Sequence, residues 1–340
     1  MGSGFGGGAE LTLLNIANEL RRRGYGVDVV APAGSHLGDI PIAQIPGNVQ
    51  IPAQIQARDT PMTLPANSVL ANMWEYARSH QQHYDLILNF AYDWLPIYLT
   101  PFFQCPVAHL IGMSSISQFM DEAVVQLANQ FPKQIAFHTH TQAATFGLTN
   151  VRCLSNGIDL TAYSFCPTAK NQLAWVARIA PEKGLEDAIA AAQQANLPLK
   201  IMGMMQDRDY WQQICDRYPD AQMEYLGFLP QAELQAALGS CKGMLMTHQW
   251  IEAFGNVVIE ALACGVPTIA YRRGGPAEIV RDGQTGFLVE PGKVSGVVSA
   301  ISRLEEIDRQ TCRHQAEQEF SLTALGDRCE QWIQEILSQS

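Results

Sequence analysis

No stretch of this 340-residue chain approaches the ~18 consecutive apolar residues that a membrane-spanning helix needs. Charge is scarce and unbalanced. Charged residues are 16% of the chain, and 22 Lys and Arg face 33 Asp and Glu, for a net charge of -11 at pH 7. That excess of acid excludes a general nucleic-acid surface, so an anionic ligand has to be held by a few local cations and by helix N-termini. The eight cysteines (Cys105, Cys153, Cys166, Cys215, Cys241, Cys264, Cys312, Cys329) form no C-x-x-C pair and no tight cluster with histidine. Neither a zinc site nor a disulfide framework is indicated, and the thiols read as buried groups of a cytoplasmic protein. No secretory leader, solenoid repeat or low-complexity tract is visible.

What is abundant is apolar sequence, 47% of the residues, in short blocks. "GVDVVAP", "YDLILNF", "CPVAHLIG", "KQIAFHT" and "VRCLSNG" each have the form of a buried parallel strand, and helical stretches such as "ISQFMDEAVVQLANQF" lie between them. Residues 36–66 are proline-rich and read as irregular surface loop. The alternation restarts at "QLAWVARI" and runs through "LPLKIMG", "MEYLGF", "KGMLMTH", "NVVIEALACG" and "VPTIAY". The expected architecture is α/β, with two doubly wound, Rossmann-like domains facing a cleft. Their expected bounds are 1–155 and 156–320, with a C-terminal helix in 321–340 crossing back to the first domain.

The chain opens "MGSGFGGGAELTLLNIANEL", with five glycines among its first eight residues. Leu13, Ile16, Ala17 and Leu20 give the i, i+3, i+4, i+7 stripe of a helix that ends in the basic turn "RRRG", so the glycine loop feeds a helix N-terminus. Such loops bind phosphate when they hang from the end of a parallel strand. Here no strand precedes the loop. The expectation is that a central strand of about six residues is missing, through truncation or a misplaced start, leaving a vacant position in the first sheet. Chain expressed in this form is then expected to aggregate or to be inactive until the upstream codons are restored.

The most informative stretch is "EAFGNVVIEALACGVPTIAYRRGGPAEIVRDGQTGFLV", residues 252–289. Gly255 and Asn256 open a helix with Asn256 as the expected cap, and Glu260 falls inside the apolar run "VVIEALA". A buried carboxylate there needs either an ion-pair partner or donated hydrogen bonds, such as those of ribose hydroxyls. Arg178 and Lys183, in "VARIAPEKGLEDAI", lie just beyond a strand end and before a helix. They are either solvated loop charges or the cations of a diphosphate site.

Together, residues 252–289, the "R…EKG" of 178–184, the "NGID" of 156–159 and the "GGG" of 6–8 resemble a family 4 glycosyltransferase of the GT-B fold, the retaining kind that uses nucleotide sugars. The glycine-rich start, the first half and "FHTHTQ" more narrowly resemble the UDP-glucose:tetrahydrobiopterin glucosyltransferases. The resemblance implies that Glu252 meets hydroxyls of the donor sugar, with the backbone of Ala253, Phe254, Gly255, Asn256 and Val257 beside sugar and phosphates. It implies that Glu260 holds the ribose and that Arg178 and Lys183 neutralise the diphosphate, joined by N–H groups of Gly7 or Gly8. His109, ending "CPVAHL", matches a position near the reacting sugar, although a histidine at a strand end can equally be structural.

The implied reaction is front-face transfer with retention, in which the leaving phosphate takes the acceptor proton. UDP-glucose is then a co-substrate, no cofactor or metal is required, and the other partner is a small acceptor such as a reduced pterin. The aromatic-rich "NFAYDWLPIYLTPFF" suits a flat acceptor. One departure stands out. Where the family has a Pro-Ser pair before the first Glu, this chain has Met246, Thr247 and His248, then Trp250. Two other readings remain open: a catalytically silent sugar-nucleotide-binding protein, and a nicotinamide-dependent dehydrogenase with Asp28 as the acidic residue about 20 positions beyond the loop.

Overall fold

A computed structural model describes residues 8–51, 59–60 and 63–338. The chain divides into two compact units, one formed by the residues up to Gly157 with those from Leu322 on, the other by Ile158–Ser321. Both are α/β units built on parallel strands. Among the described residues, no helix is long and apolar enough to cross a membrane.

The first unit contains β1 (Val29–Pro32), β2 (Ile42–Ile45), β3 (Ile87–Asn89), β4 (Val107–Ile111), β5 (Ile135–Phe137) and β6 (Arg152–Cys153). All five residues of β4 are buried, as a parallel strand covered on both faces requires. These strands form two separate sheets, β1-β2 and β3-β4-β5-β6, each parallel throughout. Among the described residues, β1 pairs only with β2 and β3 only with β4. The helix Gly8–Arg22 serves both sheets: Ile16 and Leu20 pack with Ala108, Leu110 and Ala136, while Ala17 packs with Val29 and Ala31.

One expectation is corrected. The stretch 36–66 is not wholly irregular, because β2 lies within it and pairs in parallel with β1 from Ile42 to Ile45. The proline-rich surroundings hide a four-residue edge strand whose side chains are only partly buried.

The helix Leu322–Leu337 completes the first unit. Leu325, Cys329, Trp332, Ile333 and Ile336 recur at helical spacing, and all are buried in one core with Ile16 and Leu20. The Trp332 Nε1–H donates to the Lys133 carbonyl at 2.7 Å, so the ring is both packed and satisfied. Arg23 ties the two helices by ion pairs to Asp327 and Glu330, each at 2.7 Å.

The second unit holds β7 (Lys170–Val176), β8 (Leu199–Met202), β9 (Met223–Gly227), β10 (Cys241–Met246), β11 (Thr268–Tyr271) and β12 (Gly286–Val289), in the order β12-β11-β10-β7-β8-β9. The chain moves outward from β7 to β9, then returns to the other side of β7 to lay down β10 to β12. The order therefore reverses between β7 and β10. In open parallel sheets a ligand sits at the carboxyl ends of the strands at that reversal, because the two flanking loops diverge there and leave a crevice.

Trp332→Ala is expected to destabilise the protein by about 3–5 kcal/mol, the usual cost of emptying a buried aromatic position. Trp332→Phe should cost less. Urea unfolding monitored by circular dichroism reads both, and a Trp332→Ala midpoint equal to that of the parent would contradict the packing described.

Candidate functional site

Three loops leave the carboxyl ends of β7, β10 and β11 and lock onto one another. The loop after β7 closes in a 3₁₀ turn, Pro181–Lys183, that ends at Gly184 in the left-handed region, with φ of 63°. A Cβ on Gly184 would lie 2.1 Å from the Thr247 carbonyl oxygen, so glycine is needed for this approach. The Thr247 hydroxyl donates to the Gly184 carbonyl at 2.7 Å, and the Gln249 N–H donates to the Glu182 carbonyl at 2.8 Å. The loop after β11 comes as close on the other side: a Cβ on Gly274 would lie 2.6 Å from the Glu252 carbonyl oxygen, and the Gly275 N–H donates to that oxygen at 2.8 Å. His248 Nε2 lies 2.8 Å from the Arg273 carbonyl oxygen and completes the tie.

This frame brings Lys183 and Glu252 together. Lys183 Nζ lies 2.5 Å from Glu252 Oε2, with side chains only 12% and 19% exposed. The Trp250 Nε1–H donates to the same oxygen at 2.9 Å, and the Lys183 ammonium stands 4.5 Å over the Trp250 ring. Burial pushes the Glu252 carboxyl up, but the Lys183 charge and the hydrogen bonds from Lys183 and Trp250 outweigh it, leaving the carboxyl below its ordinary value. Arg178 occupies the same loop as Lys183 and donates to Glu182 at 3.1 Å and to Gln206.

The second carboxylate lies on the helix Asn256–Ala263. The expected cap at Asn256 is corrected here: Gly255 is the capping residue, with φ of 99°, and no side chain caps the helix. A Cβ on Gly255 would press on Pro276 and Met246, which is why the position is glycine. Ala253 and Val257 are half-buried, while the Phe254 side chain is buried in the core of the second unit. Glu260 is half-buried among apolar helix neighbours. Desolvation pushes its carboxyl up to about 7, partly opposed by a hydrogen bond from Tyr163. Among the described residues this carboxylate makes no ion pair, and Tyr163 is the donor that opposes its desolvation.

The remaining candidates belong to the first unit. Gly7 lies outside the described residues; Gly8 is the exposed first residue of its helix. His109 does not have the character of a reactive group. It is fully buried in β4, receives the Asn89 amide on Nδ1 at 3.1 Å and meets the Thr100 hydroxyl with Nε2 at 2.8 Å. Thr100 already donates to the Pro96 carbonyl, so the network defines a neutral ring protonated on Nε2. Burial pushes its pKa down to about 3. The partners that sequence reasoning missed are Trp250, Gln206 and Tyr163. A tryptophan in a strand-end loop was the visible signal, but its aim at Glu252 exists only in three dimensions.

Residues 164–319 match the family model described as Glycosyl transferases group 1, a stretch that lies within the second unit. Among curated proteins, a glycogen synthase of Mycobacterium tuberculosis is 30% identical over 165 residues, covering 46% of this chain and 40% of that protein. Sucrose synthase 6 of Arabidopsis thaliana is 43% identical over 70 residues, covering 21% of this chain and 7% of that protein. The chain thus matches less than half the length of these relatives. Among solved structures, Anabaena Alr3699/HepE in complex with UDP and glucose aligns with a TM-score of 0.78 at 21% identity, covering 100% of this chain and 98% of that one. Sucrose-phosphate synthase from Thermosynechococcus elongatus aligns with a TM-score of 0.78 at 17% identity, covering 98% and 94%. The fold is GT-B, with two Rossmann-like units.

A histidine kept neutral by folding stabilises the native state fully above its unfolded pKa of about 6.5, and that contribution is lost as pH falls toward about 3. The parent should therefore lose about 2 kcal/mol between pH 6.5 and 5 through His109, a loss that His109→Gln does not share. Urea midpoints across that range test the assignment; parallel pH profiles for the two proteins would show that His109 is not buried neutral.

Proposed function

We propose that the chain is a nucleotide-sugar-dependent glycosyltransferase that moves a hexose, glucose from UDP-glucose, to a small acceptor with retention. The observation that carries this reading is the placement of Arg178, Lys183 and Glu252 on interlocked loops at the strand-order reversal of the second unit. The family match over residues 164–319 and the likeness to a fold solved with UDP and glucose support it.

In this reading the diphosphate of the donor gains negative charge as the sugar departs, and Arg178 and Lys183 stabilise that charge more in the transition state than in the ground state. The N–H groups at the start of the helix Asn256–Ala263 add a fixed dipole of the same sense. Glu252 accepts hydrogen bonds from sugar hydroxyls and sets the ring's orientation. Glu260 accepts the ribose hydroxyls, and these add to the hydrogen bond it receives from Tyr163. The departing phosphate takes the acceptor proton, so the side chains have no covalent step to perform. No metal is required by this scheme.

Arg178→Ala and Lys183→Ala should each lose about 2–4 kcal/mol of transition-state stabilisation, as when one donor is removed from an oxyanion site. Either variant with the kcat/KM of the parent would sink the assignment. Glu260→Gln should instead weaken UDP binding with less effect on turnover. Because the empty protein holds Glu260 with a pKa of about 7, UDP affinity of the parent should fall as pH drops below 7 and level off above it. In Glu260→Gln that dependence should vanish. Calorimetric UDP titrations measure this, and a variant that binds UDP like the parent would make Glu260 a structural carboxylate.

For the acceptor, the finer reading is a reduced pterin glucosylated on its side-chain hydroxyl. It rests on the sequence resemblance and on an aromatic face in the first unit, where Trp94 stacks on Tyr98 at 4.6 Å and Tyr98, Phe102 and Phe119 are 50%, 62% and 51% exposed. Incubation with UDP-glucose and tetrahydrobiopterin should give a hexosylated pterin by mass spectrometry. Reaction with sugar or lipid acceptors alone would reject the pterin and leave the transferase reading in place.

A further inference from the structure

The loop between β10 and the helix Asn256–Ala263 departs from the expected pattern at Trp250, and the contacts of this residue fit no packing role. Trp250 is half-buried and lies outside the apolar core of the second unit. Its indole N–H is aimed at one carboxylate oxygen, and its ring face at one ammonium group. Both targets belong to the same ion pair: Glu252 Oε2 accepts from Trp250 at 2.9 Å and from Lys183 at 2.5 Å, while Lys183 stands over the ring.

The triangle has a consequence once an anion arrives. A nucleotide diphosphate carries more negative charge than one carboxylate, so it draws Lys183 away from Glu252. The carboxylate would then remain in a poorly hydrated pocket without its cation, which costs free energy and loosens its position. Trp250 cannot follow Lys183. Indole is a donor with no acceptor, and it is tethered two residues from Glu252 in a loop clamped by Gly184, Glu182 and Gly275.

Building on the transferase reading, we propose that Trp250 is a positioning residue: its N–H holds the Glu252 carboxylate toward the donor sugar when Lys183 turns to the diphosphate, and its ring guides the ammonium between the two partners. The role differs from a structural one in what it controls. It acts on the liganded state, when the ion pair is open, and has little to do in the empty protein, where Lys183 already holds Glu252.

The test uses the full chain, UDP-glucose as donor and the initial rate of UDP release, together with calorimetric UDP affinity and the melting temperature. Trp250→Phe keeps a ring for Lys183 and removes the N–H. Its kcat should fall about tenfold, the scale of one hydrogen bond to a charged group, while UDP affinity and melting temperature stay those of the parent. Trp250→Gln restores a donor without the ring and should recover part of kcat. Parent-like kcat in Trp250→Phe overturns the proposal, as does a loss of kcat matched by equal losses of UDP affinity and melting temperature in both variants. A parent protein that binds no UDP and turns over no nucleotide sugar overturns the transferase reading instead, which separates the two failures.

Discussion

The ion pair of Lys183 and Glu252 is the contact on which the second unit's site depends. Two opposite charges meet in a place that water reaches poorly, and each is there because a backbone loop delivers it. Those loops can approach only because Gly184 and Gly274 lack a Cβ where one would strike a carbonyl oxygen. Charge placement therefore follows from backbone sterics, and backbone sterics from two glycines.

Glu252 and Glu260 sit eight residues apart and show opposite electrostatics. Glu252 has a cation and an indole N–H, so its charged form is favoured despite burial. Glu260 is desolvated among apolar helix neighbours, so its neutral form is favoured up to about pH 7 although the Tyr163 hydrogen bond opposes this. A carboxylate in the loop whose charge is favoured thus stands eight residues from one on the helix whose charge burial disfavours. Such divergence between neighbouring acids marks a working site more clearly than either value alone.

Much of the fold was legible because buried parallel strands are short apolar blocks, and "VAHLI" or "LAWV" can hardly be anything else. The reversal of strand order was not legible, since pairing is decided by packing between segments far apart in sequence. β2 escaped notice because an edge strand needs only partial burial and therefore carries no strong apolar signature. Arg178, Lys183, Glu252 and Glu260 were singled out through the family resemblance, since their spacing alone leaves solvated charges and a structural ion pair equally open. His109 shows the limit of that approach. A polar residue at the end of an apolar run looks the same in sequence whether it faces a ligand or, as here, an asparagine and a threonine within the core. Trp250 was visible as a departure, but its contact with Glu252 depends on the direction of one N–H bond.

The first unit draws on both ends of the chain, whereas the second is one unbroken segment. On the ribosome these two designs mature at different times. The second unit has all of its strands and helices once Ser321 has cleared the exit tunnel, and it can close immediately. The first completes its core only after the whole second unit has been made, because Trp332, Ile333 and Ile336 fill that core from beyond Ser321. For that interval Ile16 and Leu20 on the helix Gly8–Arg22 have Ala108, Leu110 and Ala136 to pack on but lack the cover of Trp332, Ile333 and Ile336. The nascent first unit is thus the part of the molecule with most need of a holding chaperone, and translation speed through the second half sets how long that need lasts.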